Sequence, residues 1–167
     1  MSELSDLLER YRRGAELLAM ATTGAAGPVL DFKPEGHVWS MRQLVCHLAD
    51  AEAVAVMRFR QMLAEDNPTL QYFDDALWMD KLDYGRRKIS VALETFRRLR
   101  SDNYELLKDL PESEFARTGT HSKDGATTLR ASVEWFAEHL EEHVREIQAM
   151  RAVYKEFRAK ELAAQGS

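Results

Sequence analysis

The sequence predicts an all-α protein, folded as an up-down four-helix bundle. Three observations carry that expectation. A seam of nine residues (Leu129, Val133, Phe136, Leu140, His143, Ile147, Met150, Tyr154 and Phe157) alternates steps of four and three, the spacing of side chains that meet a partner helix. Three further stretches show one apolar stripe each, and strand signals are nearly absent. Four helices with one apolar face apiece bury those faces most economically against one another.

The elements follow in order. A first helix spans about Ser2 to Thr22, with Leu4, Leu7, Leu8, Tyr11, Ala15 and Leu18 on one side. "TTGAAGPVLDFKPEGHV" ends it with three glycines and two prolines. The second helix starts at "SMRQ", where Ser40 caps the first turn and Gln43 reaches back. It runs to about Ala64 on Met41, Leu44, Leu48, Ala51, Ala55, Phe59 and Met62. An acidic, aromatic connection follows, with a helical turn expected around Asp75 to Met79. The third helix covers roughly Arg86 to Leu110, where "LPESEF" stops it. "TGTHSKDGAT" reads as a loop, and Thr127 or Thr128 caps a long fourth helix to about Lys160. Residues 1–160 thus form a single domain, and residues 161–167 are expected to fray.

Composition narrows the class. The chain has 167 residues, 45% hydrophobic and 31% charged, as expected of a globular protein with a sizeable core. One cysteine, Cys46, excludes an internal disulfide framework and points to a reducing cytoplasm. Cys46 itself reads as a small core residue, not a nucleophile. No secretion signal and no membrane span are expected. A net charge of -5 argues against nucleic acid as a partner. The basic stretch "RRKISVALETFRRLR" reads as balancing the acidic connection before it.

The seam raises a chemical question, because His143 is its one polar member. A core imidazole satisfied by a neighbouring carbonyl or carboxylate would explain it. His139, however, lies one turn earlier, at i and i+4, so both rings share a face about 5–6 Å apart. His47 sits on the shoulder of the second helix's stripe, able to face a neighbouring helix. One histidine from one helix and an HxxxH pair from another would hold a cation inside a bundle. Three neutral nitrogens suit zinc, nickel, copper or iron better than magnesium or calcium. His37 and His121 fall in loops and read as solvated. "HLEEH" also matches the inverted zincin pattern H-x-x-E-H, but only 24 residues follow His143, too few for that family's distant third ligand. Glu142 lies near His139 around the helix and reads as a solvated charge, with contact to a metal-bound water as the alternative.

At these residues the chain resembles the DinB superfamily, and within it the YfiT-like branch. The likeness spans about residues 35–150. It rests on Trp39-Ser40, His47-Leu48-Ala49-Asp50, Arg58-Phe59, Glu65-Asp66-Asn67-Pro68, Tyr72 with Trp78, and the block "HSKDGATTLRASVEWFAEHLEEHVREI". The resemblance implies a bundle holding a divalent metal, zinc or nickel foremost, on His47, His139 and His143. It further implies a cytoplasmic homodimer and a metal-dependent enzyme: a transferase that uses a low-molecular-weight thiol on a small electrophile, or a hydrolase. A non-catalytic metal-binding or stress-response bundle is the alternative. The branch reads W-H-x-x-H-H where this chain has Glu138-His139 and Glu142-His143. More acidic surroundings tighten a metal and repel an anionic thiolate.

Overall fold

In the computed structural model, which describes residues 2–165, the expected helices are present: α1 (Glu3–Thr22), α2 (Met41–Ala64), α4 (Ile89–Leu107) and α5 (Leu129–Gln165). A short α3 (Asp75–Lys81) stands where the helical turn was expected. The caps follow from local chemistry. The Ser2 hydroxyl accepts from the Ser5 N–H, and Ser40 and Gln43 close a complete capping box. At α5 it is Thr128 that caps, accepting from the Ala131 N–H. α5 continues past Lys160 to Gln165. Of the tail expected to fray, Gly166 and Ser167 lie outside the described residues.

The order of the helices departs from a simple up-down meander. α1 packs between α4 and α5, and α2 packs between the same two, so α1 and α2 face each other across a diagonal. Arg130 pairs with Glu3, Arg10 with Glu141, and Arg151 donates to the Ala21 carbonyl, so α1 and α5 run in the same direction. Arg87 pairs with Asp50 and Arg60 with Asp102, so α2 and α4 are also parallel. The connection 65–88 returns the chain along the bundle, which is what lets α2 and α4 run parallel, while 23–40 crosses the diagonal at one end to join antiparallel α1 and α2. Gly14 marks the tightest crossing. A Cβ there would lie 2.2 Å from Leu140 Cδ2 and 3.0 Å from Arg100 Nη1, so only glycine lets α1 approach this closely.

Three short strands correct the expected loop. β1 (Thr69–Leu70) pairs in parallel with β2 (Thr118–His121), which pairs antiparallel with β3 (Gly125–Thr128). They are too short and too polar to show alternation. Their register comes from tertiary contacts, with Thr120 N–H on the Pro68 carbonyl and Ser122 N–H on the Leu70 carbonyl.

The core has two apolar layers. One gathers Leu18, Met41, Leu44, Leu48, Phe96 and Ile147, the other Leu7, Phe59, Met62, Leu107, Val133 and Phe136. A polar layer of Tyr11, Glu52, Arg100 and Asn103 is fully buried between helices. The seam of α5 is buried from Leu129 to Met150, except for half-buried His143. Tyr154 and Phe157 leave the bundle core and pack instead on Phe32, at ring distances of 5.1 and 5.4 Å.

Candidate metal centre

Two helices that run in opposite directions bring the three histidines together. His47 projects from α2 and is 2% exposed, while His139 and His143 project from successive turns of α5 and are half-buried. His139 Nε2 lies 3.0 Å from His47 Nε2 and 3.2 Å from His143 Nε2. One nitrogen from each ring falls within 4.8 Å of the other two. Two nitrogens on one tetrahedral cation at 2.0–2.1 Å would sit about 3.3 Å apart, so the donor set fits a divalent transition metal.

The surroundings fix both the orientation and the charge of these rings. Trp39 presents an edge contact to His47 at 4.8 Å, and Trp135 stacks on His139 at 4.6 Å and 13°. His143 Nδ1 is held 3.1 Å from Glu146 Oε2, leaving Nε2 to face its neighbours. Glu146 also reaches His37 Nδ1 at 3.4 Å through its other oxygen. Burial, reinforced by His143, pushes His47 down to about 4 and His139 down to about 2. Both are therefore neutral at pH 7, the form in which imidazole binds a metal. His47 Nδ1 is buried and has no hydrogen-bond partner among the described residues.

The cluster lies at one end of a cavity of about 630 Å³. Its walls come from four regions: Arg58 of α2, Phe73 and Asp75 before and at the start of α3, the β2–β3 hairpin, and Trp135 and Phe136 of α5. A cavity of similar size, 660 Å³, opens between residues 24–29 and the last turns of α5. Its lining holds Arg151, Lys155 and Arg158 but no acid, histidine or cysteine, so the chemistry-bearing side chains belong to the first.

Glu142 and Cys46 stand as expected, and other expectations shift at this point. Glu142 is exposed and does not line the cavity; the carboxylate on His143 is Glu146, three residues on, a spacing the sequence displays. His121 is not solvated. It lines the cavity, accepts through Nε2 from Arg58 Nη2 over 3.0 Å, and sets Nδ1 2.9 Å from Asp124 Oδ2. His37 is partly covered and bound to Glu146. Cys46 is buried with its thiol pKa raised by that burial, as an inert core residue. Within the basic stretch, Arg97 and Arg98 pair with Glu94, but Arg100 is buried on Glu52.

Comparison with known proteins places the fold and the cluster in context. Residues 10–147 match the profile of the DinB superfamily. The chain belongs to the DinB superfamily. A relative from Oceanobacillus iheyensis, named provisionally as a metal-dependent hydrolase, is 28% identical over 121 residues, covering 72% of this chain and 70% of that protein. One from Halalkalibacterium halodurans, named likewise, is 29% identical over 110 residues, covering 66% of this chain and 64% of that protein. The chain thus spans about two thirds of the length of these relatives. The solved structure of YfiT from Bacillus subtilis superposes with a TM-score of 0.85 at 23% identity, covering 93% of this chain and 90% of that one. That protein is described as having an unusual four-helix bundle topology, in line with the parallel neighbours seen here. No helix among the described residues is long and apolar enough to cross a membrane.

Proposed function

We propose that this DinB-superfamily protein is a metal-dependent enzyme in which His47, His139 and His143 hold one divalent transition metal, zinc or nickel. The observation that carries this reading is the convergence of three Nε2 atoms at the end of an open cavity. A structural metal site closes its coordination with protein groups, whereas three nitrogens facing a cavity leave room for a reactant. When bound, such an ion supplies Lewis acidity, making water or a thiol a better nucleophile near neutral pH.

The chain's own residues then divide the work. Glu146 fixes His143, and Trp135 and Trp39 pack two of the rings so that the nitrogens are already aimed. Phe73 and Trp135 give the cavity apolar walls that exclude bulk water from a small electrophile. We assign the reaction class as transfer of a low-molecular-weight thiol, or of water, to that electrophile. The names of the bacterial relatives favour water as one acceptor chemistry.

The test uses tag-free protein. Elemental analysis after zinc or nickel reconstitution should give one metal per chain, and less than one in His47→Ala. Chromogenic esters and chromogenic electrophiles, the latter with each common low-molecular-weight thiol, should then show metal-dependent turnover. Metal without turnover across both panels would leave a binding protein; no metal at all would remove the reading.

A further inference from the structure

Two arginines are buried in the bundle, and they are satisfied very differently. Arg100 meets Glu52, two backbone carbonyls and two aromatic faces. Arg58, 9% exposed, has no carboxylate within ion-pair distance among the described residues. Its Nη2 serves the Gln71 carbonyl at 2.8 Å and His121 at 3.0 Å, and those two bonds tie α2 to the cavity wall. Among the described residues its buried Nε has no partner and its Nη1 makes no hydrogen bond. A guanidinium carries five donors, so an unpaired buried one with its outer edge unbonded is costly unless an anion completes it.

Arg58 lines the same cavity as the three histidines. Residues 47 and 58 are eleven apart on α2, which returns them to one face about 16 Å apart along the axis. Phe73 fills the interval, 6.4 Å from the His47 ring and 6.0 Å from the guanidinium carbon. The cavity therefore has a nitrogen-lined end, an apolar middle and a cationic end. The charged side chains around it are Arg58, Lys123, Asp75 and Asp124. Asp75 acts on His47, whereas Arg58, Lys123 and Asp124 gather at His121, so the far end carries one net positive charge, which suits a monoanion and disfavours a dianion such as a phosphate monoester.

We propose that Arg58 binds a carboxylate on the substrate, so that the protein acts on small, elongated molecules with a reactive group at one end and a carboxylate at the other. Arg58 is thus a specificity-determining residue. This deepens the metal-enzyme reading and rests on it for the reactive end alone. With both Nη2 hydrogens committed, Nη1 offers a carboxylate oxygen a charge-assisted hydrogen bond, and a neutral isostere would forfeit that assistance.

Calorimetric titration decides the matter without turnover. On metal-free protein, hexanoate should bind about tenfold tighter than hexanamide, and that advantage should vanish in Arg58→Gln. Arg58→Lys, which keeps the charge but loses the planar spread of donors, should retain part of it and serves if the glutamine variant does not fold. Cobalt-loaded protein titrated with ω-mercaptocarboxylates and matched ω-mercaptoalcohols should show the same preference, growing and then falling with chain length. Equal binding of acid and amide by wild type would overturn the proposal, as would a preference that survives Arg58→Gln. Tighter binding of hexyl phosphate than of hexanoate would overturn the carboxylate assignment. Failure of cobalt to bind would sink the metal reading instead, while the metal-free titration still decides the role of Arg58.

Discussion

Two polar clusters sit at nearly the same level of this bundle, and they obey opposite rules. Around Glu52, every donor finds an acceptor. Arg100 Nη2 meets Glu52 Oε2 at 2.7 Å, Asn103 meets Glu52 Oε1 at 3.0 Å, Tyr11 donates its hydroxyl to the same carboxylate, and the Tyr11 and Phe136 carbonyls take the rest of the guanidinium. Around His139, three nitrogens that cannot satisfy one another face a single point. The first cluster is closed and fully paired, so it specifies how α1, α2, α4 and α5 fit together. The second is aimed but incomplete, so its purpose lies in what it receives. Burial alone does not tell the two apart; the tally of donors and acceptors does.

The sharpest way to break this contrast is to unpair the closed cluster. Arg100→Met leaves Glu52 buried without its cation and should cost about 3–5 kcal/mol of stability by denaturant titration. The double variant Glu52→Leu, Arg100→Met should recover much of that loss. His47→Ala should cost the metal-free protein far less, because it removes a ring whose Nδ1 already lacks a partner.

Metal binding should reverse the ranking. At a thousandfold excess over its dissociation constant, zinc or nickel should stabilise the wild type by about 4 kcal/mol and His47→Ala by almost nothing. A rise in melting temperature of equal size in both would mean the ion binds elsewhere.

Acid separates the clusters again. His47 and His139 hold folded-state pKa values of about 4 and about 2, below the unfolded value of about 6.5, so the unfolded chain binds protons first. Stability of the metal-free protein should therefore fall as pH drops from about 7 to 4, by roughly 3 kcal/mol from His47. His47→Ala should roughly halve that slope, with His139 carrying the remainder, whereas Arg100→Met should leave it in place. The smallest expected effect belongs to Glu146→Gln, which keeps a hydrogen-bonding oxygen but not the charge on His143. Metal affinity should weaken about 10- to 100-fold with little change in metal-free stability.

Much of this was legible in the chain. Periodicity marks four amphipathic helices, and the Ser40–Gln43 box marks a start to the residue. The HxxxH spacing with His47 on a stripe shoulder yields the trio, because both signals are local to one helix. What periodicity misses is pairing across elements. Nothing in "RRLR" distinguishes Arg100 from its exposed neighbours, since only the partner on α2 makes it buried. The hairpin escapes notice because four-residue strands of Thr and Gly show no alternation. The helix order escapes because a stripe records which face is covered, not by which helix. Arg58 and His121 escape because their cavity is built from segments some sixty residues apart.

The parallel course of α1 and α5 sets a timetable for synthesis. His47 leaves the ribosome early, with α2, but the other two imidazoles lie in the closing helix, whose register against α1 depends on contacts from Glu3 to Arg151. Nascent chains therefore cannot bring the three imidazoles together until α5 has emerged. On the metal reading proposed above, selection among competing ions would fall to the folded molecule, not to the growing one.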